Sequence, residues 1–282
     1  MGSKRRLGVA AISAAGLLLA TGCSAETTEQ WKRLGLPEGA SDRTEYMHSL
    51  WMGAWIAALI IGFAVWGLML YVVVRYRRRN EDAPRQVRYN LPLEALYTLA
   101  PFAIIGALFF YTIENGNKID EMSATPDHTV KVVGFQWQWV FNYDEQVEGE
   151  SEKGVWETGS FAKPAELWLP VNESVRFDLS SPDVIHSFWV PSFYFKRDII
   201  PGRASSFELT PTKTGTFAGK CAELCGLYHT RMTFNVRVVT RAEYDAHLLQ
   251  LAAKGQTGAA TGGQDANTIP NGEHAQEHGG EK

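Results

Sequence analysis

Thirteen residues toward the end of the chain, KCAELCGLYHTRM (Lys220 to Met232), hold two cysteines, a glutamate, a histidine and a methionine. Three chemistries compete for Cys221 and Cys225, which stand four apart in a chain of three cysteines. A disulfide would close a very short loop and leave the adjacent His229 and Met232 without a task. Zinc would accept Cys221, Cys225 and His229, but structural zinc favours cysteine pairs on two separate knuckles, and a thioether is a poor zinc ligand. Cysteine, histidine and methionine together point to copper. A mononuclear blue-copper site uses one cysteine, two histidines and a weak axial methionine. The extra thiolate here would let two sulfurs bridge two copper ions, each ion finishing its shell with one histidine and one weaker donor. The second histidine must come from elsewhere, and SPDVIHSFWVPS supplies His186 at the head of a strand, 35 residues upstream of Cys221. Asp183, three before His186, either orients that ligand through a hydrogen bond or forms the turn beside Pro182.

The elements that must position these residues fall into three apolar blocks and one region of short strands. The chain has 282 residues, 45% hydrophobic and 12% aromatic, unevenly spread. Lys4, Arg5 and Arg6 precede an apolar run from Leu7 to Ala20, too short to span a bilayer and laid out like a secretory signal. Leu50 to Val74 is 25 residues without a charge; at ~1.5 Å per residue a helix of it exceeds the ~30 Å hydrocarbon layer. Leu91 to Ile113 carries one ionisable residue, Glu94. Between them Arg75, Arg77, Arg78, Arg79, Arg85 and Arg88 outnumber Glu81 and Asp82, which keeps that loop in the cytoplasm and puts both the N-terminus and the C-terminal domain on the outer face.

From Gly116 to Asp245, 13 lysines and arginines face 18 acids. That balance argues against a nucleic-acid partner and for basic ones. Asp144, Glu145, Glu148, Glu150 and Glu152 form a denser acidic loop. Period-two patterning in SVRFDLS, SFELT and MTFNVRVV, with TVKVVGFQWQWVFNY, AELWLP, IHSFWV and GTFAGK, predicts about seven strands in a sandwich or small barrel. AHLLQLAAK reads as a short helical stretch that runs into a Gly, Gln and Asn tail. His48, His128, His247, His274 and His278 have no neighbouring ligands in sequence and read as interface, surface or tail.

CAELCGLYHTRM fits CxExCGxxHxxM, and with DVIHSF and two preceding spans the chain resembles subunit II of cytochrome c oxidase over about Tyr46 to Asp245. The resemblance implies a two-helix transmembrane hairpin followed by an all-β cupredoxin-like Greek-key sandwich, multi-pass in the cell membrane. It implies that Cys221 and Cys225 bridge two copper ions, that His186 and His229 each bind one, and that Met232 and the Glu223 carbonyl are weak donors. The Glu223 side chain would hold magnesium or manganese at the border with subunit I. GFQWQWVFNY is similar to the family's aromatic strand, which makes Trp137 the residue where electrons arrive from cytochrome c. Phe135 and Gln138 depart from the usual GHQWYW, which suits a donor tethered to a cytochrome bc-type complex as a haem c subunit. LEALYTLAP resembles LExxWTxxP with Tyr97 in place of tryptophan, and places Glu94 at the mouth of a proton channel into subunit I. FKRDIIPGR makes Asp198 and Arg203 interface candidates. LLLATGC resembles a lipoprotein cleavage site with Cys23 acylated, Ala20 standing where leucine is usual.

The expected divisions are a signal peptide over 1–22, an external segment over 23–45, spans over 46–76 and 91–115 joined by a cytoplasmic loop over 77–90, a copper domain over 116–245 and a flexible tail over 246–282. Phe188 and Trp189 are expected to shield the metals from water. No pattern for holding haem appears, so oxygen chemistry belongs to another subunit, with subunits I and III as partners. The rival of a different class is a membrane-tethered copper-binding or delivery protein, which gives no reason for a hairpin carrying Glu94. A quinol oxidase subunit II lacks the copper ligands, and nitrous oxide reductase lacks the membrane hairpin.

Overall fold

Leucine, alanine and aromatic residues with almost no charge favour long helices, and the two apolar blocks form them. The computed structural model describes residues 25–79, 86–145, 154–160 and 162–262. The signal segment, Cys23, Glu148, Glu150, Glu152, His274 and His278 lie outside the described residues. The chain divides into two units, residues 1–38 and 39–282. In the first, α1 (Ala25–Lys32) ends in a turn where the Gly35 N–H donates to the Gln30 carbonyl at 2.9 Å, with Gly35 at φ +87°.

In the second unit α2 (Thr44–Arg75) and α3 (Leu91–Ile119) are each long and apolar enough to cross a membrane. Trp51 and Trp55 near one end of α2 and Tyr71 and Tyr76 at the other are the amphipathic rings that favour the two faces of a bilayer. The helix α3 starts with a reciprocal cap. The Asn90 side chain accepts from the Leu93 N–H at 3.3 Å, and Glu94 Oε1 accepts from the Asn90 N–H at 3.0 Å. Pro92 in the first turn has no N–H to lose there.

Among the described residues ten strands follow in two sheets, more than the seven or so read from the sequence. They are β1 (His128–Phe135), β2 (Gln138–Tyr143), β3 (Val155–Thr158), β4 (Ala165–Pro170), β5 (Val175–Ser180), β6 (His186–Val190), β7 (Phe195–Ile199), β8 (Ser205–Leu209), β9 (Gly215–Cys221) and β10 (Thr233–Val239). The orders are β3-β2-β1-β5-β8 and β4-β10-β9-β6-β7. The aromatic stretch read as one strand folds back at Gln136 and Trp137 into the antiparallel pair β1 and β2. Alternation along β10, with Phe234, Val236 and Val238 buried, follows the period-two pattern. The chain passes repeatedly between the sheets, as in a Greek-key cupredoxin-like sandwich. Trp139, Phe141 and Phe177 from one sheet meet Phe188 and Phe234 from the other, with ring centroids 5.1 Å apart for Trp139 and Phe234 and 5.8 Å for Phe177 and Phe188.

The helical stretch expected at AHLLQLAAK is part of α4 (Arg241–Ala253), so the chain at 246 is helix and not yet tail. A full capping box, Thr240 with Glu243, starts it, and Tyr244, His247, Leu248, Leu251 and Ala252 are buried. Beyond it the backbone runs along β3: the Trp156 N–H donates to the Gln256 carbonyl, and Asn142 makes a two-way hydrogen bond with the Ala260 backbone. This segment closes a small outer cluster of Val133, Phe135 and Val140 with Trp156 and Ala260. Local composition is polar, yet the apolar side chains needed to hold the segment lie far away in sequence on β1 and β2. The helices also differ by a few residues from the expected spans, α2 starting at Thr44 and α3 continuing to Ile119.

Candidate metal centre

The cysteine-rich loop runs from the last residue of β9 to the residue before β10, so one β-hairpin anchors both of its ends. The Cys221 N–H donates to the Met232 carbonyl at 2.9 Å, and the Ala222 N–H donates to the Ser187 carbonyl at 3.0 Å. Those bonds fasten the loop to β6, whose first residue is His186. The histidine found 35 residues upstream is thereby brought to the loop.

Within the pocket Cys221 Sγ lies 3.9 Å from Cys225 Sγ, 3.9 Å from His186 Nδ1 and 3.2 Å from the Glu223 carbonyl oxygen. Cys225 Sγ lies 3.6 Å from His229 Nδ1 and 3.8 Å from Met232 Sδ. His186, Cys221, Cys225 and Met232 are buried, while His229 is half-buried. Ligand atoms of His186, Cys221 and Cys225 all fall within 4.8 Å of one another. Sulfurs so far apart are not bonded, since a disulfide needs about 2.05 Å; both cysteines are free.

Electrostatics alone would not ionise both thiols. Burial works against the Cys221 thiolate, but hydrogen bonds from His186 and the Ser187 N–H outweigh it and lower Cys221 to about 7. Burial, then the neighbouring Cys221 charge, pushes Cys225 up to about 12. Two thiolates side by side require a cation between them. The donor set of two thiolates, two imidazole nitrogens, a thioether and a carbonyl contains no carboxylate oxygen, so it suits a soft ion and fits copper.

His186 presents Nδ1 to the sulfurs because Nε2 is held by Asp183 Oδ1 at 2.9 Å. Asp183 is itself fixed by the Gln136 and Val184 N–H groups, each at 2.6 Å. Burial disfavours the Asp183 carboxylate, but these donors outweigh it and its pKa is lowered. Trp139 stands edge-on to the His186 ring at 6.4 Å. Phe188 packs beneath in the core as expected. Trp189 does not: it alternates to the opposite face of β6, where the Lys220 ammonium sits 4.5 Å from its ring centre.

Trp137 comes to the centre from the fold between β1 and β2. Its Nε1–H donates to the Cys225 carbonyl at 3.1 Å, the Gln136 side-chain amide donates to the same oxygen at 2.8 Å, and Tyr228 packs edge-on at 5.0 Å. Gly226 permits this approach, because a Cβ there would stand 3.1 Å from Gln136 Nε2 and 3.2 Å from the Trp137 ring, at φ +118°. Gln136, Trp139, Tyr228 and Gly226 were missed by sequence reasoning, although Gln136 directly precedes Trp137, the residue that was singled out, and Trp139 stands two places after it.

Glu223 is exposed. Glu94 is not brought to the centre: roughly 37 Å of helix, at ~1.5 Å per residue, separates it from the C-terminal end of α3. Two histidines read as surface are buried instead. His128 lies between Glu145 at 2.5 Å and Glu173 at 2.7 Å, and His247 stacks on Trp168 with Nε2 at 2.8 Å from Glu157. Among the described residues, the pocket around Cys221 is where cysteine and histidine ligands gather.

The chain is similar to known proteins along most of its length. The family model described as cytochrome c oxidase subunit II, periplasmic domain, matches residues 128–239, and its transmembrane-domain counterpart matches residues 29–114. A probable cytochrome c oxidase subunit 2 of Streptomyces avermitilis is 44% identical over 88% of this chain and 88% of its own length. Cytochrome c oxidase subunit 2 of Mycobacterium tuberculosis is 33% identical over 87% of this chain and 82% of its own. The solved periplasmic domain of subunit II from Bradyrhizobium japonicum is 32% identical, covers 47% of this chain and 99% of its own, and superposes with a TM-score of 0.41. With relatives aligned along most of its length and a preformed pocket of copper donors between its last two strands, the chain belongs to the cytochrome c oxidase subunit II family.

Proposed function

We propose that this chain takes in electrons for a membrane-bound oxidase. It accepts them from cytochrome c at a binuclear copper site on the outer face and passes them to the haem of subunit I, where oxygen is reduced to water with proton translocation. The observation that carries the reading is the convergence of two cysteine sulfurs, two histidine Nδ1 atoms and a methionine sulfur in one pocket. When bound, two copper ions held by these residues would supply a site that shares one electron between both metals, so that little would have to move on reduction.

The chain's own residues do the rest. Cys221, Cys225, His186 and His229 would hold the two ions, with Met232 and the Glu223 carbonyl as weaker donors. Asp183 holds the His186 ring, and Trp139 and Phe188 keep water out. Trp137 receives the electron at the surface and hands it toward the Cys225 backbone through its indole hydrogen bond. The exposed Glu223 carboxylate is free to take magnesium or manganese at the border with subunit I.

Subunits I and III are the partners, with membrane lipid around α2 and α3 and no nucleic acid. The cell membrane is the site, with the arginine-rich loop inside and both the N-terminus and the copper domain outside. The donor is cytochrome c or a haem c subunit tethered to a cytochrome bc-type complex, as the departures at Phe135 and Gln138 suggest. Glu94 serves the proton path from the inner side, and Cys23, behind the signal at 1–22, carries the lipid. Copper storage or delivery is not favoured, because a donor must be surrendered for transfer and Cys221, Cys225, His186 and Met232 are all buried. Replacing both cysteines by serine in the assembled oxidase tests the reading: donor oxidation should vanish, and full turnover would refute it.

A further inference from the structure

Arg43, the residue before α2, has no part in the metal chemistry, yet its side chain is only 11% exposed. Its Nη1 donates to the Lys118 carbonyl at 2.5 Å, its Nη2 to the Glu121 carbonyl at 2.9 Å and its Nε to the Glu208 carbonyl at 3.3 Å. Lys118 is in the last turn of α3, Glu121 lies just beyond that helix, and Glu208 is on β8, an edge strand. One planar fork therefore joins the start of α2, the end of α3 and the sandwich. The contact also places a positive charge at the negative end of the α3 dipole.

The backbone beside Arg43 is stitched to the same domain. The Ala40 N–H donates to the Ser192 carbonyl at 2.7 Å, the Thr212 N–H to the Ala40 carbonyl at 2.9 Å and the Asp42 N–H to the Thr210 carbonyl at 3.0 Å. Ser41 Oγ donates to the Phe193 carbonyl at 3.0 Å. Ser192 and Phe193 follow directly on β6, the strand that begins with His186. A second tie runs from Asp120, which ends α3, to Arg197 on β7, the neighbour of β6. The membrane hairpin is thus fastened to the strand that carries a copper ligand.

Burying a guanidinium adds little net stability. What an arginine adds over a lysine is a rigid fork of five donors that several acceptors can share. We propose that Arg43 is a positioning residue for electron delivery: it fixes the pose of the copper domain over the two spans, and with it the path from the copper site to the haem of subunit I. The inference rests on the functional reading above.

The test compares wild type, Arg43→Ala and Arg43→Lys in the complete oxidase. Three quantities are read: the angular dependence of the copper resonance in oriented membranes, the rate of electron transfer from the copper site to haem, and hydrogen exchange at the Ala40, Asp42 and Thr212 amides of the metal-free protein. Arg43→Ala should broaden the orientation, slow the internal step several-fold and speed exchange at the three amides. The copper spectrum itself and oxidation of the donor by the copper site should keep their wild-type form, and Arg43→Lys should recover part of each loss. Unchanged orientation, internal rate and exchange in Arg43→Ala would overturn the proposal. If Arg43→Ala fails to assemble, Arg43→Lys decides by the same readings: intermediate values support the proposal, and wild-type values overturn it. A wild-type complex with no copper resonance sinks the functional reading instead, and the exchange arm alone then decides whether Arg43 sets the pose.

Discussion

The indole Nε1–H of Trp137 donates to the carbonyl oxygen of Cys225 at 3.1 Å. A half-buried aromatic ring facing the outside is thereby one hydrogen bond from the backbone of a sulfur ligand. Trp137→Phe keeps a ring but loses the donor. It should leave copper binding intact, cost stability by about 1 kcal/mol, the usual worth of one hydrogen bond, and slow oxidation of the donor by an order of magnitude. Stopped-flow mixing with reduced donor reads this; an unaltered rate would remove Trp137 from the path.

Asp183 holds His186 Nε2 at 2.9 Å and so turns Nδ1 toward Cys221. Loss of an outer partner of this kind typically weakens metal affinity by about 10- to 100-fold. Asp183→Asn should lose copper to a chelator at correspondingly lower concentration, with the fold preserved by circular dichroism.

Glu94 has two candidate tasks that one pair of variants separates. Its carboxylate caps the Asn90 N–H at 3.0 Å, and the proposed function also has it handle protons. Glu94→Gln keeps an oxygen for the cap but cannot ionise. Slowed proton uptake in Glu94→Gln and Glu94→Ala alike supports the proton role; a normal rate in Glu94→Gln leaves the cap alone.

His128 is clamped between Glu145 and Glu173, with Tyr244 donating to Glu145 at 2.6 Å and Arg241 reaching Glu173 at 2.9 Å. Burial disfavours the imidazolium, but the two carboxylates outweigh it and raise the folded pKa above the ordinary 6.5. A raised folded value means stabilisation that is fully present below 6.5 and fades as pH rises through the higher folded value. Thermal melts should show that fall, and His128→Gln should flatten it. A wild-type profile that rises over the same range would contradict the clamp.

Leu251 on α4 is 1% exposed. Leu251→Ala should cost about 2–5 kcal/mol, as buried leucines do, seen as a lower denaturant midpoint. A neutral change would return residues after Asp245 to the status of a tail.

What the sequence reveals depends on how far apart the interacting residues are. Cys221, Cys225 and Met232 share one loop, so their meeting is legible from spacing, and β10 is legible because its apolar residues alternate. His186 is legible only as the second histidine the site needs at the head of a strand, because the fold has to bring it across 35 residues. The buried setting of His128 depends on carboxylates 17 and 45 residues away, and that of His247 on Glu157, 90 residues back; no local pattern announces such pairs. Trp189 was assigned to the metal side by composition, whereas strand alternation turns it outward. The run from Gln256 to Ala260 looks like tail until β3 and Asn142 are there to bind it.

Copper counting with electron paramagnetic resonance on the purified outer domain tests the central claim most directly. Two coppers per chain and a hyperfine pattern from one unpaired electron shared equally by both nuclei are predicted, and both should vanish in the double cysteine-to-serine variant. One copper per chain with a single-nucleus pattern, or zinc in its place, would contradict the account.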